Sequence, residues 1–144
     1  MATEAIPLLI TGGTGRLGRL LRQEWPWMMR DGLRPVWQSR RPVPGCLTWD
    51  ILTEDCPAAI AGGVVLALAG GRTAALSQNT ALALAAWEAA ADQGARHVFL
   101  ASSTAVYGSA DGPPVAEMAR CTPAGAYGGA KLEMELAVLQ RQAE

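Results

Sequence analysis

Apolar positions in this chain fall into short solid runs broken by glycine and proline, with stretches of helical spacing between them. From Pro7 to Thr11 an apolar run leads straight into GGTGRLG, after which Leu17, Leu20 and Leu21 recur at helical spacing until Trp25 and Pro26. That order predicts a strand, a glycine turn and a helix. A second strand is predicted over Arg34 to Gln38, ahead of the polar segment SRRP, then a short strand from Leu47 to Trp49 and a small helix near Thr53 to Ile60. VVLALA, Val64 to Ala69, is apolar at every position, as a strand covered on both faces must be. An alanine-rich helix is predicted from about Thr73 to Gln93, stopping at Gly94, a residue suited to a left-handed helix end. A strand from His97 to Ala101 follows, then a glycine- and proline-bearing loop from Ser109 to Ala126, then a last helix from Tyr127 to about Arg141. Strands alternating with helices predict an α/β architecture, a parallel sheet with helices on both faces.

Composition narrows the function classes. At 144 residues, 50% hydrophobic and 17% charged with a net charge of -1, the chain reads as one globular domain. It lacks the basic balance of a nucleic-acid binder, and its aromatics are not interleaved with a basic patch. Three cysteines, Cys46, Cys56 and Cys121, without a CxxC pair and with a single histidine, suggest neither a disulfide framework nor a metal site. His97 reads as a residue flanking a strand. The apolar runs are too short to span a bilayer and the opening MATEAIPLLI is not a secretory signal, so a cytoplasmic protein is expected.

The glycine loop carries the first chemical signal. Gly12, Gly15 and Gly18 form GxxGxxG between a strand and a helix, where glycine permits the turn, close approach to a pyrophosphate and close packing of helix on sheet. Backbone donors at the helix start would face the negative charge. A triphosphate loop is a poor alternative, because GxxxxGK is absent. An acidic residue about twenty positions beyond the glycines would bind a free ribose 2′-hydroxyl, but Ser39, Arg40 and Arg41 stand there. Arg40 can pair with a 2′-phosphate, which leans the reading toward NADP over NAD; a solvated polar edge is the other reading of these arginines.

The second signal is a serine, a tyrosine and a lysine. Tyr127 and Lys131 are four apart, hence on one helix face, and Lys131 is the only lysine among twelve basic residues. An ammonium beside a phenol favours the charged phenolate and equips the tyrosine as a general acid or base. Ser103 lies just past an apolar strand, where the carboxyl end of a parallel sheet would expose its hydroxyl to a ligand. Taken singly, each of these residues is equally at home as an ordinary surface residue.

These segments resemble the extended short-chain dehydrogenase/reductase family, and within it the NAD-dependent epimerase/dehydratase group. TGGTGRLG is similar to the cofactor fingerprint, SSTAVYG to the segment with the catalytic serine, and YGGAK to the tyrosine-lysine motif. The resemblance implies a Rossmann-like fold in which Gly12, Gly15, Arg16, Leu17 and Gly18 meet the cofactor. It further implies Asp50 and Ile51 beside adenine, and Ala67, Leu68 and Ala69 passing the cofactor after the fourth strand. Ser103 would polarise the substrate oxygen, with Thr104 a weaker substitute, and Tyr127 would be the acid/base. Lys131 would bind the nicotinamide ribose, and Asn79 would support the lysine and a relay water. Read without the resemblance, Asp50 is a helix cap, Ala67 to Ala69 are core, and Asn79 is an exposed helix residue.

The resemblance covers the cofactor-binding first half of such enzymes, so residues 1–144 are expected to form a single dinucleotide-binding domain. The last sheet strands and a separate substrate domain are expected to be absent. The strand from His97 to Ala101 would then be an open edge, and the two long helices could form a homodimer surface. Three functions are consistent with the chain. The first is an epimerase/dehydratase-like oxidoreductase module, taking a hydroxyl of a nucleotide-sugar-like small molecule through a transient ketone. The second is an NADP-dependent carbonyl reductase, and the third a shortened, non-catalytic dinucleotide-binding or interaction module.

Overall fold

A computed structural model describes residues 5–28, 32–72, 76–108 and 114–144. The described residues gather into two compact units, one from the residues up to Ala69 together with Ala85–Ala101, the other from Gly70–Leu84 together with Ser102–Glu144.

The first unit holds a five-stranded sheet of β1 (Ile6–Thr11), β2 (Leu33–Ser39), β3 (Leu47–Thr48), β4 (Val64–Ala67) and β5 (His97–Leu100). All pairings are parallel and the spatial order is β3-β2-β1-β4-β5. Leu9 sits opposite Val36 on one side and Val65 on the other, so β1 is the central strand, and Leu9 and Ile10 are fully buried. Strand addition runs outward from β1 through β2 to β3, then jumps back across β1 to β4. The carboxyl ends of β1 and β4 therefore flank the point where the order reverses, the place at which open α/β sheets hold ligands. The Thr11 hydroxyl ties these ends together, accepting hydrogen bonds from the backbone N–H groups of Leu68 and Ala69 at 3.1 Å each.

Helix α1 (Arg16–Glu24) follows the glycine turn and continues as a short 3₁₀ turn at Trp25–Trp27. Of the three leucines that recur at helical spacing, Leu21 packs on the core of Leu8, Ile10 and Trp37. Leu17 and Leu20 are exposed. Gly18 pressed against the turn sets the inward line as Gly18, Leu21 and Trp25, at helical spacing, which rotates Leu17 and Leu20 outward. Trp25 meets Trp37 edge to face at 5.7 Å.

The small helix expected near Thr53 to Ile60 does not form as such. Leu52 N–H bonds the Asp50 carboxylate and Thr53 and Glu54 N–H bond the Asp50 carbonyl, while Pro57 is extended and only Ala58–Ile60 make a 3₁₀ turn. Proline biases the preceding Cys56 out of helical geometry and offers no N–H, which splits the segment.

Helix α2 (Asn79–Asp92) is preceded by a 3₁₀ turn at Leu76–Gln78; the helix start expected at Thr73 lies outside the described residues. Gly94 ends the helix with φ +61, and Ala95 N–H returns to the Ala90 carbonyl at 2.8 Å. Helix α3 (Ala126–Gln142) buries Gly128, Lys131, Met134 and Val138 along one face. A Cβ at Gly128 would overlap the Ala105 carbonyl oxygen, so α3 lies backbone-close on the 3₁₀ turn at Thr104–Tyr107. Of the loop expected from Ser109, residues 109–113 lie outside the described residues, and the described remainder up to Gly125 is irregular. Among the described residues no helix is long and apolar enough to cross a membrane.

Candidate functional site

In the first unit the glycine turn is built by contacts that exclude side chains. Gly12 takes φ +67, a left-handed conformation, and a Cβ there would stand 3.0 Å from the Ala69 backbone. A Cβ on Gly18 would collide with the Gly12 carbonyl oxygen and the Gly13 backbone. Gly15 opens α1 in extended geometry, and its N–H closes onto the Gly12 carbonyl at 2.8 Å. A Cβ on Gly15 would meet only that oxygen, at 3.1 Å, so its outer side is bare. Among the described residues none caps α1 with a side chain, and its first turn holds no acidic residue. The first N–H groups of the helix thus keep their partial positive charge for a ligand. Arg16 and Leu17 stand exposed beside them. A glycine turn leading into a helix with no side-chain cap and no acidic residue in its first turn fits the pyrophosphate of a dinucleotide.

The loop after β2 completes that end of the unit. Ser39 is buried; its hydroxyl accepts from Arg41 N–H at 3.3 Å and lies 3.5 Å from the Thr14 hydroxyl, while Arg40 and Arg41 are exposed. Gln38, which the sequence reading passed over, holds the Gly12 N–H through Oε1 at 2.9 Å. Ile51 is buried, whereas Asp50 is half-buried, with its carboxylate on the Leu52 N–H and its own N–H on the Glu54 carboxylate. Asp50 therefore organises a turn and not the start of a helix. Ala67 is core at the end of β4, and Leu68 and Ala69 are half-buried beyond it.

In the second unit Asn79, Lys131, Tyr127 and Ser103 are organised around two short backbone segments. Asn79 is almost completely buried, not exposed on its helix. Its Oδ1 accepts from Gly71 N–H at 2.8 Å and its Nδ2 donates to the Gly71 carbonyl at 3.0 Å. A Cβ on Gly70 would lie 2.9 Å from Asn79 Oδ1 and 3.8 Å from Lys131 Nζ, so both polar heads converge on a residue that has no side chain. Lys131 is buried, its Nζ 3.7 Å from the Met134 sulfur. Burial lowers its pKa from the ordinary 10.5, against a smaller upward pull from Glu135.

Tyr127 is half-buried one turn before Lys131, and the Arg72 guanidinium sits 5.4 Å from the centre of its ring, within cation–π range. Nothing in the sequence marked Arg72, because its pairing depends on where the segment after β4 is carried. Ser103 caps the 3₁₀ turn at Thr104–Tyr107, its hydroxyl oxygen accepting from Ala105 N–H at 3.2 Å. That use of the oxygen leaves the hydroxyl proton able to donate. Ala105 in turn touches Gly128, the residue after Tyr127, which brings the serine turn and the start of α3 together. Thr104 is exposed.

Residues 56–144 match the model of the NAD dependent epimerase/dehydratase family. The chain belongs to this family. The parallel sheet with its helices is Rossmann-like. Among solved structures it is similar to MoeE5 in complex with UDP-glucose and NAD, at 27% identity and TM-score 0.77, over 96% of this chain and 50% of that one. MoeE5 in complex with UDP-glucuronic acid and NAD is similar at 28% identity and TM-score 0.77, with the same coverage. A short-chain dehydrogenase/reductase superfamily protein from Agrobacterium tumefaciens with bound NAD is 26% identical, with TM-score 0.74, over 94% of this chain and 45% of that one. The chain thus spans about half the length of the solved structures it matches. No curated protein matches it in sequence.

Proposed function

We propose that residues 1–144 form one dinucleotide-binding domain of an oxidoreductase-type epimerase or dehydratase acting on a hydroxyl or carbonyl of a nucleotide-linked sugar. The observation that carries this reading is the glycine turn, where contacts at Gly12 and Gly18 leave no room for side chains while the N-terminus of α1 stays uncapped. Support for the substrate class comes from MoeE5, solved with UDP-glucose or UDP-glucuronic acid together with NAD.

Gly12, Gly15, Arg16, Leu17 and Gly18 would hold the pyrophosphate, and Asp50 with Ile51 the adenosine end. Ala67, Leu68 and Ala69 would line the passage beyond β4. Bound nicotinamide would supply the hydride acceptor and donor. Ser103 would donate its hydroxyl proton to the substrate oxygen, and Tyr127 would take up or return the proton of the reacting hydroxyl at its Oη. Lys131 would hold the nicotinamide ribose and Asn79 would keep the Gly70–Gly71 segment in place beside it. In the same reading a second copy packs on α3, where Leu136 and Leu139 are exposed.

The family is NAD-dependent, yet the loop after β2 favours acceptance of NADP as well. Ser39 provides no carboxylate for a 2′-hydroxyl, and two exposed guanidinium groups follow it. Calorimetric titration of the chain with NAD and NADP tests both statements. Saturable binding of at least one is expected, and Arg40→Ala should weaken NADP about tenfold while changing NAD little. No binding of either would remove the dinucleotide reading, and equal losses for both would remove the 2′-phosphate role of Arg40.

A further inference from the structure

Gln38 is a buried polar residue on a strand whose other side chains are mostly apolar, and it connects three pieces of backbone. Its Oε1 accepts from Gly12 N–H at 2.9 Å, its own carbonyl accepts from Gly13 N–H at 2.8 Å, and its Nε2 donates to the Trp49 carbonyl at 2.5 Å. The amide has one arrangement that satisfies both side-chain partners, since reversing it would set N–H against N–H and oxygen against oxygen. Trp49 is itself locked, with its ring buried, its N–H on the Ser39 carbonyl at 3.0 Å and its indole N–H on the Glu54 carbonyl at 3.0 Å. The same Glu54 takes the Asp50 N–H through its carboxylate at 2.7 Å. A continuous set of hydrogen bonds therefore runs from the glycine turn through Gln38 and Trp49 to Asp50.

We infer that Gln38 is a positioning residue for dinucleotide binding, a strut that fixes the distance between the glycine turn and the Trp49–Asp50 segment. This inference rests on the proposed reading in which a dinucleotide lies along both. The physical case is one of stiffness. A pyrophosphate at the turn and an adenosine at Asp50 belong to one rigid-jointed ligand, so affinity depends on the two sites being held in register. An aliphatic residue at position 38 would fill the same space but leave Gly12 N–H and the Trp49 carbonyl without partners. Each site would then be free to shift alone.

The test uses the ¹⁵N-labelled chain, Gln38→Leu and Gln38→Glu. Amide hydrogen exchange reads the strut without any ligand. In Gln38→Leu the Gly12 amide should exchange about tenfold faster, the size of one lost buried hydrogen bond, while the Gly13 amide, bonded to the backbone of residue 38, should not change. Titration with NAD and NADP reads the positioning, and the dinucleotide that wild type binds should bind Gln38→Leu about tenfold more weakly. In a double-mutant cycle with Asp50→Asn, the combined loss should fall short of the product of the single losses. If the leucine variant does not fold, Gln38→Glu decides. It keeps an acceptor for Gly12 but no amide donor for Trp49, so Gly12 should stay protected while dinucleotide affinity still falls, and the loss combined with Asp50→Asn should again fall short of the product.

An unchanged Gly12 amide in Gln38→Leu would overturn the strut. Unchanged affinity in the variants, or losses with Asp50→Asn that simply multiply, would overturn its positioning role. Absence of NAD and NADP binding by the wild type would instead overturn the dinucleotide reading, and with it any ligand role for Gln38, a result distinguished by a Gly12 amide that still responds to the leucine substitution.

Discussion

Asn79 and Gly71 are bonded in both directions, the side-chain amide of one replacing the backbone partner that the other would have in a sheet. Because Asn79 is buried, removing its amide strands the Gly71 backbone as well as emptying the space. Asn79→Leu should cost about 1–3 kcal/mol in urea unfolding, the range for buried groups left without partners. Asn79→Ser, which can satisfy only one arm, should fall between that variant and wild type. A leucine variant as stable as wild type would show that the pair is ornamental to the fold.

Gly15 and Gly18 belong to one motif but do different work. Gly18→Ala drives a methyl into the Gly12 carbonyl and should destabilise the chain by about 1–3 kcal/mol, as overpacking does. Gly15→Ala meets one oxygen at 3.1 Å and has φ -71, so it should fold nearly as well as wild type yet weaken dinucleotide binding by about tenfold or more by occupying the outer side of the turn. Thermal unfolding and titration on both variants separate the two effects.

Tyr127→Phe keeps the ring under Arg72 and the packing of α3 while deleting the hydroxyl. On the proposed function, dinucleotide affinity should stay within about twofold, and conversion of a nucleotide sugar should fall by about 100-fold or more, the share carried by a positioned acid or base. Equal turnover by both proteins would remove Tyr127 from the proton-transfer role.

On the proposed function, Lys131 is a residue at which ligand chemistry and stability oppose each other. Its folded pKa lies below the ordinary 10.5 because burial disfavours the ammonium. The unfolded chain therefore binds the proton more tightly, and the charged lysine costs stability at all pH values below the folded pKa. The cost fades as pH rises from that value through 10.5. Lys131→Met should raise the urea midpoint at pH 7, and the advantage should shrink as pH approaches 10.5 and beyond. An advantage that grows with pH would show that the ammonium is stabilised in the fold.

Phe99 lies on β5, one edge of the sheet among the described residues, and is 57% exposed. Phe99→Glu should change stability by only about 0.5 kcal/mol, as surface substitutions do, while reducing concentration-dependent association measured by sedimentation. A large loss of stability would mean that the ring is packed in solution.

The order of strands and helices was legible because β1 and β4 are apolar at nearly every position and the glycines mark the turns between periods of two and 3.6. Gly94 was readable as a helix end for a similar reason, since few other residues take its φ of +61 cheaply. The segment from Thr53 to Ile60 departs from the expected helix because a single proline and the carboxylate of Asp50 outweigh weak helical spacing. The helical spacing of Leu17, Leu20 and Leu21 marks the helix but not which of them faces the core, because spacing alone gives a face and not its direction. The close approach of Gly18 to the turn supplies that direction.

Among the candidate residues of each unit, Gly12, Gly15 and Gly18 of the first and Tyr127 and Lys131 of the second could be picked out from the string because their spacing is local: one loop, one helical turn. Gln38, Arg72 and the role of Gly71 as partner of Asn79 could not. Amino-acid order alone determined the α/β class, the glycine turn and the shared helix face of tyrosine and lysine, all consequences of backbone sterics and period over a few residues. Tertiary structure decided which polar groups are buried and whom they bond, because a hydrogen bond across 26 positions, such as that from Gly12 to Gln38, exists only once parallel strands have set the two residues side by side.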